Sequence, residues 1–154
     1  MRKMAFAVAA TLALLVGGCG YNYANPATAD PTATLKAYTI LTEAMTNGKI
    51  PLDQGVRDQI GYFAGALRVN MPYAVALSIR KAFNKSWSGL NRQDVGYVIT
   101  RPEKVPGKPS LRVFGVEEKT TGPAFYYQFV LVKQGGRWYI SAILPMPTPT
   151  PTKG

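Results

Sequence analysis

The chain has 154 residues, a formal net charge of +10, one cysteine and no histidine. Without histidine it lacks the commonest general base and the commonest metal ligand, and one cysteine cannot build a zinc site of the usual kind. The sequence therefore predicts no metal and no cofactor. Once the polar terminal segments are set aside, about 110 residues remain, which is enough for one compact domain and not for two.

The first 18 residues have the pattern of a secretory signal peptide. Two cations follow Met1, and residues 4–16 are almost wholly apolar. That run of about 13 residues is too short for a membrane-spanning helix, which needs roughly 20. Two glycines then precede Cys19, so we expect residues 1–18 to be removed from the mature protein.

The segment Val16-Gly17-Gly18-Cys19 resembles the lipobox of bacterial lipoproteins. In that family a lipid is attached to the cysteine sulfur, the signal is cut just before the cysteine, and the new amino terminus is usually acylated. The resemblance implies that Cys19 is lipidated and that the protein is exported and anchored to the cell membrane or the outer membrane, with its domain outside the cytoplasm. Two or three acyl chains hold a protein stably where one chain does not. Plain secretion and an uncleaved anchor are the alternatives.

Two polar segments flank the domain. Residues 19–33 are predicted to be a flexible tether and residues 145–154 a tail, because both are small, polar and contain several prolines. The alternation of Pro and Thr in the tail favours an extended polyproline conformation. The domain is therefore expected at residues 34–144.

The first half of the domain is predicted to be helical. Residues 34–46 place apolar side chains at helical spacing, and Asn47-Gly48 then supplies a stop signal. Two further helices are predicted after Asp53 and Pro72, each with an apolar stripe that is expected to face the core. The stripes are Val56, Ile60, Phe63, Ala64 and Leu67 on the second helix, and Val75, Ile79, Ala82 and Phe83 on the third.

The second half changes to the period of two that is typical of strands. Gly135-Gly136 predicts a tight hairpin between the last two strands, and residues 101–110 are predicted to be a loop. The four predicted strands are residues 94–100, 111–116, 125–133 and 137–144. Helices followed by an antiparallel meander predict an α+β domain with N-terminal helices packed on a curved four-stranded antiparallel sheet. Both sheet faces carry large apolar groups, so the tether, the tail or a partner is expected to cover part of the second face.

Two segments resemble the cystatin-like roll domains of the nuclear-transport-factor-2-like superfamily. Residues 30–48 are similar to the first helix of those domains, and residues 135–141, GGRWYIS, resemble their last hairpin. The resemblance implies a cystatin-like roll. Its members include a few enzymes with a pocket between sheet and helices, and many binding or assembly domains, among them periplasmic subunits of type IV secretion machines.

These features predict a membrane-tethered, non-catalytic binding or assembly module of the bacterial cell envelope, within a secretion or conjugation machine and with an envelope protein as partner. The alternative is a lipoprotein that binds a small ligand in a pocket between sheet and helices. In either case the ligand or partner face is assigned to strand aromatics. They are Tyr97, Tyr127, Phe129 and Trp138.

The chain is not expected to be an enzyme, because the acidic residues near the strands have simpler roles. Glu117 and Glu118 are interpreted as the solvated end of a strand. Asp94 is interpreted as a cap or as the partner of Arg92.

Eight cations and two acids lie in the region from Arg80 to Arg112. Such a region attracts anionic lipid head groups or wall polymers through simple electrostatics. Nucleic acid is not expected as a partner, because the protein is predicted to be exported. The alternative is a solvated face that only keeps the protein soluble.

Overall fold

The structure is a computed structural model, and it describes residues 26–151. Cys19 and the predicted signal peptide lie outside the described residues. Helices precede an antiparallel sheet, which confirms the α+β class. The elements are α1 (Pro31–Thr46), α2 (Leu52–Gly61), α3 (Gly65–Asn70), α4 (Tyr73–Gly89), β1 (Asp94–Ile99), β2 (Glu103–Val105), β3 (Lys108–Thr120), β4 (Phe125–Gln134) and β5 (Arg137–Met146).

The sheet has five strands, so the prediction of four was wrong. Its order is β1-β3-β4-β5, and the short β2 pairs with the first part of β3 beside β1. The extra strand lies in the segment predicted to be a loop. Pro106-Gly107 forms a turn there, with Gly107 at φ +71°, the sign of φ that a type II turn requires after proline. The turn reverses the chain so that β3 runs back along β2, and Glu103 pairs with Val113.

The folded part begins before residue 34 and continues past residue 144. The side chain of Asp30 caps α1 by accepting a 2.9 Å hydrogen bond from the backbone N–H of Thr32, and Pro31 stands in the first turn, where its missing N–H costs no hydrogen bond. Ala27, farther upstream, is fully buried. β5 likewise extends to Met146.

The second predicted helix is divided into two. α2 ends at Gly61, and Phe63 forms a parallel bridge with Ile140 of β5. The backbone N–H of Ala64 donates to the carbonyl of Ile140 at 2.8 Å. The predicted stripe still contributes buried side chains at Phe63 and Ala64, but the backbone there follows the edge of the sheet before α3 begins.

The stripe predicted on the third helix is largely not buried, which corrects the expectation that it joins the core. Trp87 is the buried residue of α4, whereas Val75 and Ile79 are 44% and 54% exposed. The helix packs mainly on α2. It therefore leaves space between its apolar side and the inner face of the sheet.

The core lies between α1, the segment around Phe63 and the inner face of β3, β4 and β5. Leu35, Phe114, Leu131 and Ile140 are fully buried there. Burial of each such side chain contributes roughly 1.5–3 kcal/mol. The opposite face of the sheet is only half-buried by the described residues, so its coverage by the tether, the tail or a partner stays a prediction.

No helix within residues 26–151 is both long and apolar enough to cross a membrane.

Candidate functional site: a cavity between the helices and the sheet

A cavity of about 230 Å³ lies between α4, α2 and the inner face of the sheet. Ile79 of α4 lines the cavity and is 54% exposed, so the cavity opens to solvent beside α4. Most of the walls are apolar, and they include Ile60, Phe63, Met71, Phe83, Phe129 and Ile143.

Three of the four predicted site residues meet in this cavity. Tyr97 on β1 and Tyr127 and Phe129 on β4 point to the inner face of the sheet and line the cavity. Their positions follow from strand alternation, since Tyr97 lies opposite Glu118 and Tyr127 lies opposite Val116.

Trp138 lies elsewhere. It is buried at the β4–β5 hairpin end of the sheet, where it pairs with Lys133, and the guanidinium of Arg112 lies 5.0 Å from its ring centroid. Tyr127, by contrast, pairs with Pro145 near the far end of β5. The two aromatics share a sheet face but stand at opposite ends of it, so Trp138 packs in the core.

Glu118 lines the cavity and forms a buried carboxyl pair with Asp94, and sequence reasoning missed this pair. Glu118 is 4% exposed and Asp94 is 3% exposed, so Glu118 is not the solvated strand end that we expected. The hydroxyl of Tyr97 lies 2.6 Å from Asp94 Oδ2 and 3.1 Å from Glu118 Oε1. Alternation along β3 was the available signal, because Phe114 and Val116 share the face of Glu118.

Asp94 is held by the turn after α1 and not by Arg92. The side-chain amide of Asn47 donates to the backbone carbonyl of Asp94 at 2.8 Å, and the backbone N–H of Asp94 donates to Asn47 Oδ1 at 2.9 Å. The residue predicted only as a helix stop therefore fixes the start of β1. These two hydrogen bonds position Asp94 beside Tyr97.

The two buried carboxyls are weaker acids than exposed carboxyls. Burial raises the pKa of Asp94 and of Glu118, and the Asp94 carboxylate raises the pKa of Glu118 further. Within residues 26–151 no lysine or arginine pairs with either group. Two carboxyls in such contact do not both ionise readily. Ionisation of one carboxyl therefore disfavours ionisation of the other.

Two phenols complete this cluster. Tyr127 hydrogen-bonds to Glu118, and burial together with the neighbouring carboxylates raises the pKa of Tyr97 and of Tyr127. Both phenols therefore keep their protons at neutral pH and act as hydrogen-bond donors. The carboxyl pair with Tyr97 and Tyr127 is called the carboxyl cluster below.

Arg80 supplies a cation on the helical side of the cavity. Its guanidinium lies 5.2 Å from the ring centroid of Phe83, and it has no carboxylate within salt-bridge distance in the part of the chain that the structure describes. The cavity thus combines apolar walls, a buried carboxyl pair with two phenol donors, and a cation. This arrangement suits a small amphipathic molecule.

Within residues 26–151, no three His, Cys, Asp or Glu side chains are grouped to hold a metal ion. No protein-family model, no curated protein and no solved structure matches the chain.

Proposed function

We propose that this protein is a non-catalytic lipoprotein of the bacterial cell envelope that binds a small amphipathic molecule in the cavity beneath α4. Lipidated Cys19 holds it to the cell membrane or the outer membrane. The observation that carries the proposal is Glu118, which is 4% exposed, lines a mainly apolar cavity and has no cation partner among the described residues. The proposal includes a cystatin-like roll, in which the sheet curves around α1.

The polar groups of the cavity are few and are held in place by the sheet. Hydrogen bonding between β1, β3 and β4 fixes Tyr97, Glu118 and Tyr127 relative to one another. Binding sites for small molecules commonly have this composition, with mostly apolar walls and a few placed polar groups that set orientation. The apolar walls supply affinity, and the carboxyl cluster selects a ligand with a hydrogen-bonding group at one end.

A matched pair of α4 variants tests the cavity as the binding site. Ala76 lines the cavity, whereas Ala74, two residues away on the same helix, is exposed. A ligand that binds only the folded state raises thermal stability, by ~2.7 kcal/mol at a hundredfold excess over Kd. We expect compounds from an envelope extract to raise the Tm of the wild type and of Ala74→Trp, and to leave the Tm of Ala76→Trp unchanged.

The proposal fails if no extract fraction stabilises the wild type, or if Ala76→Trp responds as strongly as Ala74→Trp. A comparison of the unliganded melting curves shows whether each variant is folded.

A second function, assembly with an envelope protein in a secretion or conjugation machine, is favoured by the outer sheet face. Val113 and Val130 are directly opposite each other on that face and half-exposed, and Leu144 and Met146 at its edge are exposed. Apolar patches of this kind often mark protein partner sites. We expect Val130→Asp to release a partner that co-purifies from membranes, and Lys133→Asp, at the exposed end of the same strand, to retain it. Equal retention by both variants would argue against this face as the partner site.

A further inference from the structure

α3 and the first half of α4 present apolar side chains to solvent. Val69 is 80% exposed, Val75 is 44% exposed and Ile79 is 54% exposed. Val75 and Ile79 are four residues apart and so lie on the same side of α4. Residues 65–89, which form both helices and the turn between them, are called the elbow below.

The charge of the elbow has one sign. Its four cations are Arg68, Arg80, Lys81 and Lys85, and it contains no acidic residue. Exposed apolar side chains beside cations are the composition by which a helix lies in the interface of a membrane with anionic lipids. A protein partner would need a matching acidic surface with an apolar centre, whereas an anionic bilayer supplies both features everywhere.

The chain enters the domain beside the elbow. The carbonyl of Thr28 accepts a 2.9 Å hydrogen bond from the N–H of Trp138, and the N–H of Ala64 donates to the carbonyl of Ile140. Two residues along a strand span ~7 Å, so the N-terminal segment and the start of α3 lie side by side on the edge of β5.

The position of the lipid follows from chain length. Cys19 precedes Pro26 by seven residues, which reach at most ~25 Å. A lipid on Cys19 therefore keeps this edge of the domain, and the elbow beside it, near the bilayer. Met71 and Ile79 belong to the elbow and also line the cavity, so the cavity opens on the same side.

We propose that the elbow docks on an anionic lipid bilayer, with Val69, Val75 and Ile79 in the interface and the exposed Lys81 and Lys85 on the head groups. The cavity then opens toward the membrane, and its ligand enters from the lipid. The orientation rests on the proposed anchoring through Cys19, and the docking does not depend on which ligand the cavity binds.

Fluorescent probes at two positions test the docking. The full chain, purified from membranes, carries Val69→Cys or Val98→Cys, labelled with an environment-sensitive fluorophore and placed on phosphatidylcholine vesicles with or without phosphatidylglycerol. Val98 is the control, because it is exposed on β1, at the opposite edge of the sheet. Cys19 is common to both variants, so the signal of the wild-type chain treated with the same fluorophore is subtracted from each.

We expect the probe at position 69 to shift to the blue on vesicles with phosphatidylglycerol and to be quenched by a quencher within the bilayer. High salt should reverse the shift, and the probe at position 98 should remain as in water. A probe at position 69 that stays as in water, or equal shifts at both positions, would overturn the proposal.

Charge reversal separates attraction by the elbow from attraction by any basic surface. In the Val69→Cys background, Lys81→Glu with Lys85→Glu should abolish the blue shift, whereas Lys104→Glu with Lys108→Glu should leave it in place. Equal loss in both double variants would overturn the assignment to the elbow.

The mass of the purified chain reports the anchor independently. If no acyl groups are found on Cys19, the anchoring in the proposed function is wrong. The labelled chains added to the same vesicles still show whether residue 69 enters the interface, so the two failures are distinguishable.

Discussion

The two ends of the inner sheet face differ, although the same strands run through both. At the hairpin end, which we call the packed half, Leu131, Trp138 and Ile140 are buried against α1 and the segment around Phe63. At the other end, the open half, the inner face carries the carboxyl cluster and faces the cavity under α4. The difference shows that facing inward does not by itself place a residue in the core, because the neighbouring helix must also close on it.

The largest expected effect distinguishes the two halves by stability. Leu131→Ala removes a fully buried side chain from the packed half and should lower the free energy of unfolding by about 2–5 kcal/mol. Ile143→Ala removes a half-buried side chain that lines the cavity, so less packing is lost and the effect should be clearly smaller. Chemical denaturation measures both. Equal losses would mean that the open half is packed as tightly as the other.

A smaller effect concerns the hydrogen bonds of the open half. Tyr97→Phe removes the hydroxyl that donates to Asp94 and leaves a buried carboxyl without that partner. This loss should destabilise the ligand-free protein by about 1–3 kcal/mol. Tyr126→Phe is the matched control on the outer face, with an expected change within about 0.5 kcal/mol. The denaturation midpoints of the two variants, each compared with the wild type, measure the two stability losses. If Tyr97→Phe is as mild as its control, the Tyr97–Asp94 hydrogen bond contributes little.

The smallest expected effect is a slope in the dependence of stability on pH. Folding raises the pKa of Asp94 and Glu118 above the ordinary carboxyl range of about 4, so the folded state holds more protons than the unfolded state just above that range. The stability that this contributes is fully present below about pH 4 and is lost as the pH rises through the folded pKa values.

Glu118→Gln should therefore reduce that loss, and Glu117→Gln, one residue away on the outer face, should leave it as in the wild type. Thermal melts across the acidic to neutral range provide the comparison. The same slope in all three proteins would contradict the raised pKa of Glu118.

The sequence was sufficient for the arrangement of helices before an antiparallel sheet, and for three of the residues that line the cavity. Alternation along β4 places Tyr127 and Phe129 on one face, and the period of two is local to the chain. β2 was missed because it has only three residues and lies among charged residues and prolines, which are not typical of strands. Pro106-Gly107 is a turn signal and could have indicated a hairpin there.

The remaining differences depend on contacts that no local pattern contains. The apolar period of α4 indicates an apolar side, but whether a sheet covers Val75 and Ile79 depends on where α2 holds the helix. In the same way, Glu118 is buried because the register between β1 and β3 sets Tyr97 opposite it. Strand alternation places Trp138 on the same inner face as the residues that line the cavity. It is nevertheless in the core, because the segment that forms the bridge between Phe63 and Ile140 covers that end of the sheet.

The most direct test of the central claim is the mass of the intact protein released gently from the membranes of its host. We predict a small molecule bound at one per chain in the wild type and in Ala74→Trp, and its absence in Ala76→Trp. A wild-type chain that carries its acyl groups and no other small molecule would contradict ligand binding in the cavity.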